Sequence, residues 1–240
     1  MRAACLQLRV ELCRLDDNAR RALSMAHQAI DRGAGVLVFP EMFLTGFCYD
    51  LQEKDLSIHP VLDIFRTLAQ EHDLLIMGSL RSGRQNLGFC LDSKGMDVRP
   101  KIHPFGPEKE HFDGGSFITP IPTKWGYVGL EVCYDLRFPE VSRSLALQGA
   151  DFLVTVAQFP AQRIAQWKTL CTARAIENQM PHIACNWAGA GGSMIIDATG
   201  ELLAVAGTDE TVITGDIDLG IRDRFRCEVT SLKDRRPEIY

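Results

Sequence analysis

The residues best suited to chemistry stand at the ends of apolar runs. In YVGLEVCYDLRFPE, residues 127–140, a β-rich run leads to Cys133, flanked by Glu131, Tyr134, Asp135 and Arg137. Phe138-Pro139-Glu140 then opens a helical pattern, with Pro139 suited to a first turn where no amide donor is needed. A thiol at such a strand-to-helix turn faces free backbone N–H groups, which lower a thiol pKa and receive a developing oxyanion. The plainer alternative is that Cys133 is a small buried hydrophobe, as most free cysteines are. Glu41 directly follows VLVFP, at the carboxyl end of a buried strand, where open α/β sheets gather their ligands. An acid in that position is poorly solvated, which is the setting of a general base. Lys101 also ends a strand, between Pro100 and Ile102-His103-Pro104. An ammonium beside a thiol favours thiolate and then balances an oxyanion. Glu108 lies in a run of charges, Glu108-Lys109-Glu110-His111, and such runs are usually a solvated face.

The elements that must position these groups follow from periodicity. Residues 3–8 alternate as a first strand, and Asp16 or Asp17 can cap a helix running to about Asp31, with Gly33 as its stop. VLVF, residues 36–39, is a continuous apolar run typical of a buried parallel strand. A helix over 59–72 and a strand over 74–79 follow, then a hairpin of 86–92 with 96–102 around Ser93-Lys94-Gly95. From Tyr127 the order looks like a second copy: strand, helix 139–148, strand 152–157, helix 162–179 and strand 182–187. A hairpin over 193–205 and a strand over 211–218 complete it. On the second long helix, Ile164, Ala165, Lys168, Cys171, Ala175 and Ile176 are expected on one side. Two βαβ-containing halves imply two sheets packed together with helices outside. No linker divides residues 1–240, which read as a single domain; the polar, arginine-rich stretch 221–240 reads as a C-terminal arm.

Composition narrows the function. At 240 residues and 46% hydrophobic, the chain can bury one sizeable core. A net charge of −5 offers no basic excess to a phosphate backbone, so nucleic-acid binding is not expected. Eight cysteines are scattered with no C-x-x-C pair, which argues against a zinc knuckle, an iron–sulfur ligand set or a disulfide framework. The N-terminus is broken by Arg2, Arg9 and Glu11, unlike a signal peptide. The longest uncharged run, 178–196, is too rich in Gly, Pro and amides to span a membrane. A reducing cytoplasm fits this pattern.

Three blocks resemble the nitrilase superfamily of carbon–nitrogen hydrolases: VFPEMFLTG (38–46), RPKIHPF with EKEHFDGG (99–105, 108–115) and GLEVCYDLRFPE (129–140). Glu, Lys and Cys stand in the family's catalytic order, with Lys101 60 residues after Glu41 and 32 before Cys133. The match continues through QGADFLVTVAQFP, TARAIENQ and IIDATGELLA to a terminal RRPEIY. The resemblance implies a four-layer α-β-β-α sandwich that dimerises through its outer helices. It implies Cys133 as nucleophile, Glu41 as general base and Lys101 as stabiliser of the oxyanion. Glu108 takes the place of the family's second glutamate, chosen over Glu110 because it precedes Gly115 by seven residues. The reaction implied is hydrolysis of a small amide through a thioester, with the Tyr134 backbone N–H assisting Lys101 and with no metal or cofactor.

YDLRFPE with WKTLCTARAIENQ looks like the ω-amidase-like branch, which deamidates 2-oxo acid ω-amides. There an arginine after the nucleophile meets a substrate carboxylate, and Arg137 is the candidate; the alternative is a salt bridge to Glu140 or Glu177. Gln158-Phe159-Pro160 stands where that branch more often has Asn-Trp-Pro, so Gln158 and Phe159 are expected beside the substrate. Other readings are nitrile or N-carbamoyl hydrolysis on the same residues, and a Cys–His hydrolase using His103, His111 or His182. A non-catalytic binding member of the family is a further alternative. Gly189-Ala190-Gly191-Gly192 is not a dinucleotide loop, because Met194 stands where a third glycine belongs and a strand follows.

Overall fold

Alternation along the first strand already sorts the chain onto two cores. Ala3 and Cys5 point to one, Ala4 and Leu6 to the other, because successive side chains of a strand leave opposite faces. The computed structural model describes residues 1–51, 55–57 and 59–239. In chain order its strands are β1 (Arg2–Gln7), β2 (Val36–Val38), β3 (Leu75–Ser82), β4 (Gln85–Leu91), β5 (Met96–Pro100) and β6 (Ile121–Thr123). They continue as β7 (Gly126–Val132), β8 (Phe152–Val156), β9 (His182–Cys185), β10 (Met194–Ile196), β11 (Leu202–Val205) and β12 (Thr211–Asp216).

These make two six-stranded sheets, ordered β12-β1-β2-β3-β4-β5 and β11-β10-β9-β8-β7-β6. Each has a parallel centre, β1-β2-β3 and β7-β8-β9, flanked by antiparallel strands. The two centres repeat one rhythm, as the sequence pattern predicts. Helices α1 (Leu15–Asp31) and α2 (Pro60–His72) cover the outer face of the first sheet, where Ala22, Ala26 and Phe65 meet Leu6 and Leu37. Helices α4 (Pro139–Leu147) and α5 (Ile164–Asn178) belong to the second sheet, with Val141 and Leu145 of α4 packed on Leu153. Between the sheets, Val36 and Val38 share a core with Val128 and Val132. The result is an α-β-β-α sandwich.

Several expectations need correction. The charged stretch after Pro107 is a short helix, α3 (Glu108–His111), and its first residue is buried. Helix α1 begins at Leu15 with no side-chain cap; Asp16 and Asp17 lie inside its first turn, where negative charge suits the helix dipole. On α5 the buried residues are Trp167, Cys171, Arg174, Ala175 and Asn178, whereas Ile176 is exposed. Polar Arg174 and Asn178 were hidden from a hydrophobic-face count; Arg174 is tolerated inside because it donates to the Leu136 carbonyl at 2.8 and 3.1 Å and pairs with Glu177 at 2.9 Å. The polar tail carries a helix, α6 (Leu219–Glu228), with no buried residue, which docks by Arg226 donating to the Gln179 carbonyl at 3.2 Å. Tyr240, the last residue of RRPEIY, lies outside the described residues. The cysteines include one bridge, Cys13–Cys48, while Cys5, Cys90, Cys133, Cys171, Cys185 and Cys227 are free. Their spacing carried no sign of that pair. Among the described residues, no helix is long and apolar enough to cross a membrane.

Candidate active site

The carboxyl ends of β2, β5 and β7 deliver three side chains to one point between the sheets. Glu41 follows β2 by three residues. Its loop is anchored on both sides by Phe39 and Phe43, fully buried rings stacked 4.6 Å apart. Burial of each contributes roughly 1.5–3 kcal/mol, which holds a loop that would otherwise be mobile. Lys101 follows β5 directly, and its amide donates to the Asn86 carbonyl at 2.9 Å. Cys133 opens a 3₁₀ turn, Cys133–Arg137, immediately after β7.

Two backbone positions here are in the left-handed region without being glycine, Cys133 at φ 49° and Met42 at φ 50°. Each costs on the order of 1–3 kcal/mol and persists only where the surroundings enforce it. For Met42 the enforcement is visible: its amide donates to Ser79 Oγ at 3.0 Å.

The polar groups form one connected set. Lys101 Nζ donates to Glu41 Oε1 at 2.7 Å and to Glu108 Oε2 and Oε1 at 2.7 and 3.0 Å. Glu41 Oε1 also accepts from Asn86 Nδ2 at 2.8 Å, and Oε2 from the Gln158 amide at 3.0 Å. Trp187 Nε1 donates to the Glu41 carbonyl at 2.5 Å. Glu41 and Lys101 are 0 and 1% exposed, so this ammonium and these carboxylates exist as charges only because they face each other.

Burial opposes the Lys101 ammonium, yet the charges of Glu41, Cys133 and Glu108 outweigh it and hold its pKa well above the usual range. Glu108 is pushed up to about 7, first by burial and then by the charge of Glu41. The Cys133 thiol is pushed well above its usual value by burial, the charge of Glu41 and a hydrogen bond to it, against the opposing pull of Lys101. The expectation that the turn lowers this pKa is therefore corrected. The dipole of so short a turn is small beside the cost of desolvating a thiolate.

A cavity of about 180 Å³ opens over these groups, reaching Cys133, Glu41 and Glu108 at its floor. Tyr134, Arg137, Gln158 and Phe159, all named from the sequence, line it. Phe159 is clamped by Asn186, whose Oδ1 accepts from its amide at 2.7 Å and whose Nδ2 donates to its carbonyl at 3.1 Å. Arg137 makes neither salt bridge considered from the sequence. Its guanidinium lies 4.9 Å from the Phe159 ring centre and donates to Gln166 Oε1 at 2.9 Å.

The three histidines are elsewhere. His103 Nδ1 lies 2.8 Å from Asp135 Oδ1, His111 stacks on Tyr49 at 4.0 Å, and fully buried His182 contacts Thr155 and the Cys171 carbonyl. None lines the Cys133 cavity, so the Cys–His arrangement is not formed.

The order Glu, Lys, Cys, the converging strand ends and the double sheet describe one family, and direct comparison agrees. The carbon–nitrogen hydrolase family matches residues 2–226. The chain belongs to that family. It is similar to the 2-oxoglutaramate amidase of Bacillus subtilis (strain 168), 31% identical over 264 residues that cover 99% of this chain and 98% of that protein. It is 37% identical over 186 residues to the omega-amidase YafV of Yersinia enterocolitica, covering 71% of this chain and 72% of that one. Among solved structures, Saccharomyces cerevisiae Nit3, a member of branch 10 of the nitrilase superfamily, matches with a TM-score of 0.88 at 25% identity, over 98% of this chain and 96% of that one. The chain is thus an enzyme of the nitrilase superfamily, a carbon–nitrogen hydrolase.

In this carbon–nitrogen hydrolase the cavity and its floor also include residues that the sequence did not single out. Asn86 stands at the start of an apolar strand, a polar residue on an inward position, and that was the available signal. Phe47 and Phe105 reach the cavity from loops with no periodicity to read, and Arg163 reaches it from the 3₁₀ turn Ala161–Arg163 ahead of α5.

Proposed function

We propose that the enzyme hydrolyses a small amide, a 2-oxo acid ω-amide or a close relative, through a thioester on Cys133. The observation that carries this reading is the convergence of Cys133, Glu41 and Glu108 on the floor of one cavity, with Lys101 bonded to both carboxylates behind it. Glu41 Oε1 already accepts two donors, while Oε2 accepts one and keeps a lone pair for the thiol proton. With a thiol that is neutral at rest, attack and proton transfer to Glu41 proceed together: sulfur bonds to the amide carbon as Glu41 takes the proton. Lys101 and the Tyr134 backbone N–H, which lies in a first helical turn with no intrahelical acceptor, receive the oxyanion. Collapse expels ammonia, which takes its proton from Glu41, and leaves the thioester. Water then gives a proton to Glu41 and attacks the same carbon. The carboxylic acid leaves as Cys133 recovers its proton. Glu108 holds Lys101 together with Glu41, and Arg137 meets the substrate carboxylate. The relatives named 2-oxoglutaramate amidase and omega-amidase support the substrate class. A homodimer joined through the outer helices belongs to the same proposal, supported by apolar Leu147 and Ile176 standing exposed on α4 and α5.

The test is intact-protein mass spectrometry after mixing with a panel of small amides that includes 2-oxoglutaramate. Ammonia release with an acyl adduct that is lost in Cys133→Ala is expected. Absence of both across the panel would overturn the amide reading.

A further inference from the structure

The bridge Cys13–Cys48 stands at the edge of the candidate active site. It ties the turn ahead of α1 to the loop that follows β2, across 35 residues of sequence. That loop carries Glu41 near its start and Phe47 beside the bridge. Phe47 lines the Cys133 cavity, and its ring centre lies 6.0 Å from Lys101 Nζ. On the other side of Cys48, Tyr49 stacks at 4.0 Å on His111, the last residue of α3, whose first residue is Glu108. The two neighbours of Cys48 thus touch the cation and the helix that supplies its second carboxylate.

The two sulfurs differ in access: Cys13 is exposed and Cys48 is buried. Cys13 also sits at φ 60°, a left-handed conformation that a residue with a side chain keeps only when held there. Its amide donates to the Thr45 carbonyl at 2.8 Å, so backbone and bridge hold the two segments side by side. Gly46 is packed so closely that an added Cβ would come within 3.1 Å of Trp187 and 3.3 Å of Leu12. Trp187 in turn donates to the Glu41 carbonyl. Once the bridge opens, Cys13 is free to return to negative φ, which withdraws its amide from Thr45 and Leu12 from Gly46. Arg81 Nη1 still donates to the Cys48 and Tyr49 carbonyls at 3.3 and 3.1 Å, longer than the roughly 2.9–3.0 Å of a good N–H···O bond.

We propose that the Cys13–Cys48 bridge is a redox modification site, opened by a dithiol reductant, and that its opening lowers turnover by loosening Phe47 and Tyr49 against Lys101 and α3. A thiolate of the reductant attacks the exposed Cys13 sulfur and the S–S bond breaks; Cys48 leaves as a thiolate and takes a proton. The reductant's second thiol attacks the mixed disulfide, frees Cys13 as a thiol and departs as an internal disulfide. Two electrons and two protons pass to the protein, and a disulfide oxidant reverses both steps. Turnover as a readout rests on the amidase reading; the loosening of the loop does not.

The experiment equilibrates the native protein, Cys13→Ser and Cys48→Ser with graded ratios of reduced to oxidised dithiothreitol. Ammonia release from the panel of small amides and hydrogen exchange of segments 42–49 and 108–112 are then measured, and mass after alkylation counts the thiols in each state. As the native bridge opens, kcat should fall about 10-fold with KM rising alongside, as displacement of positioning groups predicts. Exchange in both segments should quicken, and reoxidation should restore the starting values. Both serine variants should keep the reduced protein's rate at every ratio. Unchanged turnover and exchange while alkylation shows Cys13 and Cys48 open would overturn the assignment, as would finding both thiols free at the oxidising end. A rise on reduction shared by the native protein and both variants would report recovery of oxidised Cys133 instead, and would also overturn it. Absence of ammonia across the panel in both states would bring down the amidase reading alone, with exchange still deciding for or against the bridge.

Discussion

Asp135 joins the two halves of the candidate active site: its Oδ1 accepts from the His103 amide at 2.9 Å while its own turn carries Cys133. Oδ2 accepts from the amides of Ile102 and Val132 at 3.2 and 3.3 Å. One buried carboxylate thus ties the segment leaving Lys101 to the end of β7, and fixes the distance between ammonium and thiol.

Asp135→Asn replaces an acceptor by an amide NH₂ facing backbone donors. Each buried donor left unpaired costs about 1–3 kcal/mol, so the melting transition should fall measurably while the fold survives. The positional effect should appear as a loss of kcat of about 10- to 100-fold with KM little changed, since the reacting groups are displaced more than the substrate contacts. Steady-state kinetics beside a thermal melt check it. A variant that loses stability but retains kcat would show that Asp135 is only a fold contact.

Glu41→Gln should separate thiol reactivity from catalysis. The Glu41 charge is among the causes that raise the Cys133 pKa, and the Lys101 charge opposes it. Removing the carboxylate lowers that pKa and raises the thiolate fraction. Alkylation of Cys133 by iodoacetamide at pH 8 should therefore be faster in Glu41→Gln than in the native protein, although amide turnover falls by about 100-fold or more for want of the base. Peptide mapping of the alkylated cysteine against time decides the matter. Slower alkylation would mean that Glu41 activates the resting thiol.

Glu108 sets a pH dependence with opposite signs for activity and stability. Burial and the charge of Glu41 hold its pKa at about 7. Only ionised Glu108 shares the Lys101 ammonium fully with Glu41, so kcat/KM should rise with pH through about 7. Stability runs the other way. In the folded state the group keeps a proton that the unfolded chain, with an ordinary carboxylate near 4.5, has released. Its contribution is complete below about 4.5 and is lost as pH rises through 7. Glu108→Gln should remove the limb near pH 7 from the rate profile and flatten the melting temperature across that window. A limb that persists unchanged in the variant would assign it to another group.

The sequence by itself determined the alternation of strands and helices, because apolar periodicity survives any packing, and it put forward the candidate residues at strand ends. Glu41 and Cys133 stood out because each closes an apolar run, and Lys101 because it ends a strand in a family-like block. What only the tertiary structure decided were relations across long separations. Asn86 reaches Glu41 and Asp135 reaches His103 through contacts between different loops, which leave no period in the chain. Glu108 looks solvated in its run of charges, and only the placement of α3 over Lys101 buries it. The raised thiol pKa of Cys133 came from desolvation, a property of the enclosing sheets and loops and not of the turn that holds it.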